Sequence, residues 1–315
     1  MLVLTRADVE ELLDLDELVD ALAHAHVELS AGAVSMPPRI AAFADGGLLG
    51  AMPGHLPALA LGCKLVSVFP HNVDRPSHQA AIVLFDPANG SPLALMDGTY
   101  VTAARTAGAA ALAATHLARE DARVLAILGT GVQARSHARA FARIHDWEEI
   151  RIAGREAAKV EELAAEAGAT AAASFEDAVR GADVVAATTH SPEPIVRLEW
   201  LAPGTHVSSV GYSAPGSELD PGLVRAATVV VESRESAFAP PPGGAPELQG
   251  LDPATVAELG EVVDGTRPGR SGPGETTLYK SVGVAVQDLA AAALVLAAAR
   301  ERGTGTEIEL EEIPA

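Results

Sequence analysis

The stretch Val124-Leu125-Ala126-Ile127-Leu128-Gly129-Thr130-Gly131-Val132-Gln133-Ala134 decides the fold of this chain. An apolar run ends in a Gly-x-Gly-x-x-Ala pattern, and an alanine-rich amphipathic segment follows. This order indicates a buried parallel strand, a tight turn and a helix N-terminus. Gly129 makes the turn, Gly131 lets backbone approach a phosphate, and the small Ala134 lets the helix pack on the strand. The pattern therefore predicts a pyrophosphate-binding cradle formed by Gly129, Thr130, Gly131, Val132 and Gln133.

The sequence on the carboxyl side of this motif alternates between strands and helices. Apolar strands are predicted at 150–153, 170–173, 184–188, 206–211 and 228–231, with helices at 157–166 and 175–180. Such alternation is typical of an α/β fold with a Rossmann-type, doubly wound parallel sheet. We assign residues 121–279 to this dinucleotide-binding domain.

The sequence before the motif has a different organisation. Residues 15–30 place apolar side chains at helical spacing, and short apolar segments at 48–52, 60–69, 79–85 and 92–96 are separated by Gly, Pro, Asn and Asp. These segments are predicted to be strands joined by turns, followed by a small-residue helix at 99–118. An apolar helix is predicted from about Val282. Residues 1–120 with 280–315 are therefore predicted to form a second, α+β domain.

The composition limits the kinds of molecule that this protein is expected to bind. The chain has 315 residues and a formal net charge of −20, which argues against nucleic acid and anionic membranes because both repel an acidic surface. The single cysteine, Cys63, lies in an apolar segment and is expected to be buried, and a disulfide framework is excluded. No Cys/His cluster has metal-site spacing, so no metal is expected.

The sequence predicts neither a signal peptide nor a membrane-spanning segment. Arg6, Asp8 and Glu10 follow the first residues, so there is no apolar core of a signal peptide. The apolar run at 284–299 is too short to span a bilayer. We expect a cytoplasmic protein.

The end of the second strand of a dinucleotide fold indicates which nicotinamide cofactor binds. An acidic residue there suits the ribose of NAD, whereas an arginine suits the 2′-phosphate of NADP. This chain has Gly154 and Arg155, so NADP is favoured, while Glu156 keeps NAD open. Arg155 can instead cap a surface helix. Thr188, at the end of a later strand, is a further candidate for cofactor contact or an ordinary loop residue.

Several motifs in the chain are more distinctive than its composition. They are Met36-Pro37-Pro38-Arg39, Met52-Pro53, Gly62-Cys63-Lys64-Leu65-Val66, Thr102-Ala103-Ala104-Arg105-Thr106-Ala107-Gly108, Thr277-Leu278-Tyr279-Lys280-Ser281-Val282-Gly283 and Gln287-Asp288. In this order, with the glycine motif between them, they resemble the ornithine cyclodeaminase/mu-crystallin family over essentially the whole chain.

The resemblance implies two domains, one for substrate and dimer contacts and one for the nucleotide, and usually a homodimer. It also implies a small amino or imino acid held beside a nicotinamide. Arg39, Lys64 and Arg105 match substrate-contacting positions, with Lys64 and Arg105 as the catalytic candidates. We further assign Met52 and Ser213 to the substrate and Lys280 to the cofactor.

The chemistry of these side chains agrees with the resemblance. Arginine captures a planar carboxylate with two hydrogen bonds. A lysine inside the apolar run around Lys64 is costly unless it is paired or its pKa is lowered, and a lowered pKa suits proton transfer near neutral pH. Each residue also has an ordinary alternative: Arg39 at the surface, Arg105 bound to helix C-termini, and Lys64 extended to an edge.

The resemblance leaves three functions open. Cyclodeaminases carry a catalytic aspartate where this chain has Ser213, and they tend to carry Asp where it has Lys280. A serine hydroxyl cannot replace a carboxylate base. The favoured function is therefore an NAD(P)H-dependent reductase of small α-imino (ketimine) acids or an amino-acid dehydrogenase. The alternatives are an ornithine cyclodeaminase, which releases ammonia and gives proline, and a non-catalytic NADPH-binding protein.

Overall fold

A computed structural model describes residues 1–212, 216–240 and 243–310. The chain divides into two compact units: unit 1 is Met1–Arg105 with Val284–Ala315, and unit 2 is Thr106–Gly283. We predicted boundaries at 120 and 280, so residues 106–120 and 280–283 lie in a different unit from the one expected. The first break lies inside one uninterrupted helix, Gly98–Leu117, and a continuous helical pattern gives no sequence signal for it.

Unit 1 is built on a mainly antiparallel sheet. Its strands are β1 (Leu2–Leu4), β2 (Ile40–Ala44), β3 (Gly47–Leu56), β4 (Ala60–Val68), β5 (His78–Phe85), β6 (Pro92–Asp97) and β15 (Thr306–Glu307), in the order β15-β1-β6-β5-β4-β3-β2. Its helices are α1 (Arg6–Leu12), α2 (Leu15–Ser30), the first part of α3 (Gly98–Leu117) and α10 (Ala285–Arg302). The predicted helix at 15–30 and the four predicted strands are present.

Helix α10 packs closely on β3 and β4. A Cβ atom at Gly62 would lie 3.0 Å from the Leu289 side chain, and one at Gly54 would lie 3.1 Å from the same residue. Side chains two apart on a strand share a face of the sheet, so Lys64 lies on the face of β4 that Gly62 presents to α10. The glycines thus bring the helix close to the lysine.

Unit 2 contains a parallel sheet with the order β13-β12-β14-β11-β10-β7-β8-β9. Its strands are β7 (Val124–Leu128), β8 (Glu149–Ala153), β9 (Thr170–Ala171), β10 (Val184–Ala187), β11 (His206–Ser209), β12 (Thr228–Val231), β13 (Ala257–Glu258) and β14 (Thr277–Lys280). Its helices are α4 (Val132–Ile144), α5 (Ala157–Ala167), α6 (Phe175–Val179), α7 (Pro221–Ala226), α8 (Arg234–Ala237) and α9 (Leu259–Val263), with 3₁₀ turns at Leu198–Trp200, Pro246–Leu248 and Pro253–Thr255.

The predicted fold class, a doubly wound parallel sheet with a second α+β unit, is confirmed. Strand β14 is an addition: it pairs with both β11 and β12, and its residues were recognised only as a motif. Cys63 is half-buried rather than buried. In the part of the chain that the structure describes, no helix is both long and apolar enough to cross a membrane.

Candidate active site

Lys64 is held in unit 1 by an ion pair with a residue that the sequence did not connect to it. Its side chain is 2% exposed, and its ammonium lies 2.7 Å from Oδ2 of Asp288 in α10. Asp288 is fully buried. A buried charge is tolerated when it is paired and hydrogen-bonded, so the approach of α10 to β4 is what allows a lysine in an otherwise apolar strand.

Arg105 binds the other oxygen of the same carboxylate. It lies in α3 with its side chain 5% exposed, and its Nε donates to Oδ1 of Asp288 at 2.9 Å. Its Nη1 donates to Oε1 of Gln287 at 2.9 Å. Two cations therefore share one anion, and this cationic cluster (Lys64, Arg105 and Asp288) carries one net positive charge when all three are ionised. A buried surplus of positive charge suits a small carboxylate ligand.

The pKa values within the cationic cluster follow from burial and neighbouring charge. Burial would raise the pKa of Asp288, but the charges of Arg105 and Lys64 outweigh it and hold that pKa below its ordinary value. Burial lowers the pKa of Lys64, the charge of Asp288 opposes the lowering and that of Arg105 adds to it, with a net value of about 8. Lys64 is therefore mainly protonated at neutral pH yet able to give up its proton, which suits a proton donor.

The other predicted substrate residues lie at the edge of this cluster. The charge of Arg39 contributes to lowering the pKa of Lys64, although Arg39 itself is exposed. Met52 is buried at 6% exposure and faces Lys64 across the β3–β4 ladder. The structure thus brings Arg39, Met52, Lys64 and Arg105 into one region of unit 1.

His78 belongs to the same region but was not predicted. Burial, together with the charges of Lys64 and Arg105, lowers its pKa to about 4, so the imidazole is neutral at pH 7. His78 begins β5 and pairs with Val68, which is on the same face as Lys64. The sequence signal that was available is alternation: positions 64, 66 and 68 share a face, and the register of the hairpin extends that face to position 78.

The predicted pyrophosphate cradle in unit 2 has the expected backbone. Strand β7 ends at Leu128, Gly129 adopts a φ of +127°, and α4 begins at Val132. A Cβ at Gly129 would lie 2.6 Å from Oγ1 of Thr188, whereas a Cβ at Gly131 would meet nothing within 4 Å. The first glycine is thus required by the fold. The second borders open space.

The start of α4 fits an anionic ligand. Gly131 is its N-cap and supplies no side-chain hydrogen bond, and the first turn contains no acidic residue. The unpaired N–H groups and the positive end of the helix dipole favour a phosphate there. The residues present therefore fit the pyrophosphate of a dinucleotide.

The residues predicted near the ribose and the nicotinamide lie at the ends of strands. Gly154 follows β8, where a Cβ would lie 2.8 Å from Cγ2 of Thr130, and Arg155 is exposed. The hydroxyl of Thr188 donates to the carbonyl of Leu128 at 2.8 Å, so this side chain ties the end of β10 to the end of β7.

Lys280 is fully buried in unit 2. Its ammonium lies 2.9 Å from Glu247, donates to Oγ of Ser209 at 3.1 Å and donates to the carbonyl of Gly211. An ammonium has three N–H donors, so a contact with cofactor would replace one of these bonds. Its assignment to the cofactor stays a prediction. Ser213 lies outside the described residues.

The fold and these two sites define an α/β protein with a dinucleotide cradle in one unit and a buried cationic cluster in the other. Residues 1–303 match the model of the ornithine cyclodeaminase/mu-crystallin family. The chain belongs to this family, and the predicted resemblance is confirmed.

Relatives within the family include reductases and dehydrogenases. The chain is 43% identical over 255 residues to ketimine reductase mu-crystallin of Mus musculus, covering 79% of this chain and 80% of that protein. The structure of Thermococcus litoralis Δ1-pyrroline-2-carboxylate reductase in complex with NADH and L-proline matches with a TM-score of 0.91 and 34% identity, over 98% of this chain and 100% of that chain. An archaeal alanine dehydrogenase dimer with bound NAD matches with a TM-score of 0.92 and 33% identity, over 99% of each chain.

Proposed function

We propose that this protein is an NAD(P)H-dependent reductase of small α-imino acids. The observation that carries the proposal is the cationic cluster of Lys64, Arg105 and Asp288, buried in a chain of net charge −20. Burying two cations beside one anion costs free energy. The carboxylate of a bound substrate would neutralise the remaining positive charge. The relatives named as ketimine and pyrroline-2-carboxylate reductases support the same reaction class.

The cationic residues have separate roles in the proposed mechanism. The guanidinium of Arg105 is oriented by Asp288 and Gln287 through two of its five N–H donors, and its remaining donors hold the substrate carboxylate. Arg39 adds positive charge from the exposed side. Lys64 donates a hydrogen bond or a proton to the imine nitrogen, for which its pKa of about 8 is suited.

The bound dinucleotide would supply hydride to the imine carbon, and Gly129, Thr130, Gly131, Val132 and Gln133 would hold its pyrophosphate. The chain's own residues bind the acid, orient the C=N bond and supply the proton on nitrogen. The C=N bond becomes a C–N single bond, with hydride added at carbon and a proton at nitrogen. Orientation and electrostatics are the protein's contribution.

NADPH is the cofactor we favour over NADH. No carboxylate occupies position 154 to repel a 2′-phosphate, and the exposed guanidinium of Arg155 can bind one. The nearby carboxylate of Glu156 is paired with Lys159 at 2.7 Å, which supports a weaker role for it in holding a ribose. Because the reaction consumes reduced dinucleotide, the cytoplasm is the location we propose.

We also propose that the protein is a homodimer that pairs through unit 1. Strand β2 is at the sheet edge and is exposed along all five residues. Ile40 is 69% exposed and Phe43 is 73% exposed, and they project from opposite faces of β2. Long apolar edges are normally covered. Light scattering would find twice the chain mass for the wild type, and a monomer for Phe43→Asp if this edge forms the contact; a monomeric wild type would contradict the dimer.

The activity test compares three reactions on the purified protein. Δ1-pyrroline-2-carboxylate with NADPH or NADH tests the reductase, ornithine with NAD tests ammonia release by a cyclodeaminase, and NADPH binding without turnover tests a non-catalytic role. We expect oxidation of NADPH that depends on the ketimine acid. Ammonia release from ornithine without net oxidation, or cofactor binding without any turnover, would contradict the proposal.

A further inference from the structure

The amide of Gln287 has one chemically allowed orientation. Its Oε1 accepts from Nη1 of Arg105 at 2.9 Å and from the backbone N–H of Val284 at 3.4 Å. Guanidinium and backbone N–H groups only donate, so the amide oxygen must face them. The amide NH₂ of Gln287 must then face the opposite way, where it lies 3.0 Å from Nε2 of His26.

This orientation fixes the state of His26 in turn. An amide NH₂ can only donate, so Nε2 of His26 must accept and its proton must sit on Nδ1. His26 is fully buried in α2, and burial lowers its pKa to about 3, which keeps the ring neutral. Nδ1 is buried and has no hydrogen-bond partner among the described residues.

The unpaired Nδ1 argues against packing as the reason for a histidine here. Ala25, Leu56, Val286 and Ala290 form an apolar cluster beside this part of α2, and an aliphatic side chain at position 26 would pack there without burying an unpaired ring nitrogen. The atom that histidine supplies and leucine lacks is the Nε2 acceptor. That acceptor binds the amide NH₂ of Gln287.

We propose that His26 and Gln287 are positioning residues that set the orientation of Arg105 for the substrate carboxylate. The acceptor of His26 prevents the amide of Gln287 from rotating, and the fixed amide oxygen holds Nη1 of Arg105. Without His26 the amide NH₂ of Gln287 loses its acceptor, so the amide is held from one side only and positions the guanidinium of Arg105 less firmly. Both residues act through Arg105. The kinetic consequence rests on the proposed reductase function.

The kinetic test uses His26→Leu, which removes the acceptor, and His26→Gln, whose amide oxygen can restore it. In the purified holoenzyme with NADPH, we expect His26→Leu to raise KM for Δ1-pyrroline-2-carboxylate by about three- to tenfold with kcat changed less than about threefold, as for loss of one buried hydrogen bond. His26→Gln should recover most of that loss. Leu22→Ala, at a fully buried position of the same helix, should lower the melting temperature and leave KM unchanged.

Two kinetic results would overturn the proposal: an unchanged KM in His26→Leu, or equal KM values for His26→Leu and His26→Gln. The double variant His26→Leu/Gln287→Met should be no worse in KM than Gln287→Met alone, because both act through one contact. If the double variant instead multiplies the KM effects of the two single variants, His26 acts on the substrate site by a route other than Gln287.

A second measurement needs no substrate and separates this proposal from the reductase assignment. The ¹⁵N chemical shifts of the imidazole of His26 in the intact protein should show a protonated Nδ1 and an unprotonated Nε2 at pH 7. A protonated Nε2 would overturn the proposal even in an active reductase. An inactive wild type with the expected tautomer would instead contradict the proposed function.

Discussion

The two proposed sites are built to bind charge by opposite means. In unit 1, the proposed substrate site consists of charged side chains that are buried and paired, with Lys64 and Arg105 on the two oxygens of Asp288. In unit 2, the cradle is made of backbone: a glycine turn and the uncapped start of α4. Burying an ionised side chain costs free energy. The first N–H groups of a helix have no intrahelical partner, so a site made from them needs no buried charge.

This difference predicts how each site responds to a substitution. A change in unit 1 alters charge balance, so stability and substrate binding should respond together. A substitution in the cradle of unit 2 adds atoms where the ligand would bind. At Gly131, which borders an opening, such a substitution can weaken cofactor binding without lowering stability. The predictions that follow test this contrast, beginning with the largest expected effect.

Lys64→Ala should lower kcat/KM for the imino acid by about 10²- to 10⁴-fold, because it removes the proposed proton donor and one of the buried cations. The dissociation constant of NADPH, measured by fluorescence titration, should stay within about twofold. Leu65→Ala is the matched control, since Leu65 is the next residue on β4 and is 38% exposed. Retained turnover in Lys64→Ala would remove Lys64 from the mechanism.

Asp288→Asn should lower the free energy of unfolding by about 3–5 kcal/mol, as expected when a buried ion pair loses its anion. Denaturation in urea at pH 7 measures the change. The effect should largely disappear in the Lys64→Met/Arg105→Met background, where no buried cation remains to be compensated. An equal loss in both backgrounds would show that the carboxylate does not compensate these cations.

Gly131→Ala should raise the dissociation constant of NADPH by about tenfold to a hundredfold while changing stability by less than about 1 kcal/mol. Its added Cβ meets nothing in the protein but occupies the opening beside α4. Gly129→Ala is the contrasting variant: with a φ of +127° and a 2.6 Å approach to Thr188, it should be destabilised by about 1–3 kcal/mol. Tight cofactor binding in a folded Gly131→Ala protein would contradict the cradle.

Arg155→Gln should raise KM for NADPH by about fivefold and leave KM for NADH unchanged, because an exposed guanidinium contributes modestly to binding a 2′-phosphate. Arg123→Gln, which removes an exposed cation just before β7, is the matched control and should change neither value. If Arg155→Gln weakens both cofactors equally, Arg155 does not discriminate between them.

The sequence predicted the elements whose patterns are local. The strands at 124–128 and 228–231 have the predicted bounds, and the helix at 15–30 does too, because each is a continuous apolar or periodic segment. Strand β14 was not predicted. Its Thr277 and Lys280 interrupt the apolar pattern, and they are buried only because neighbouring strands and side chains supply partners.

The site was predictable residue by residue but not as a set of contacts. The need of Lys64 for a partner follows from its apolar surroundings, yet nothing local indicates that the partner is Asp288, 224 residues later in the chain. His26 fitted the apolar periodicity of its helix, so its bond to Gln287 was not visible either. Such pairs depend on tertiary packing, which brings α10 against β4 and α2.

The most direct test of the account is transfer of label from cofactor to product. The protein should be incubated with Δ1-pyrroline-2-carboxylate and NADPH that carries deuterium at C4 of the nicotinamide, in the transferred position, and the proline formed should be examined by mass spectrometry. We predict one deuterium at the α-carbon of each proline molecule, and none formed by Lys64→Ala above background. Proline without deuterium, or no proline from a protein that binds NADPH, would contradict the account.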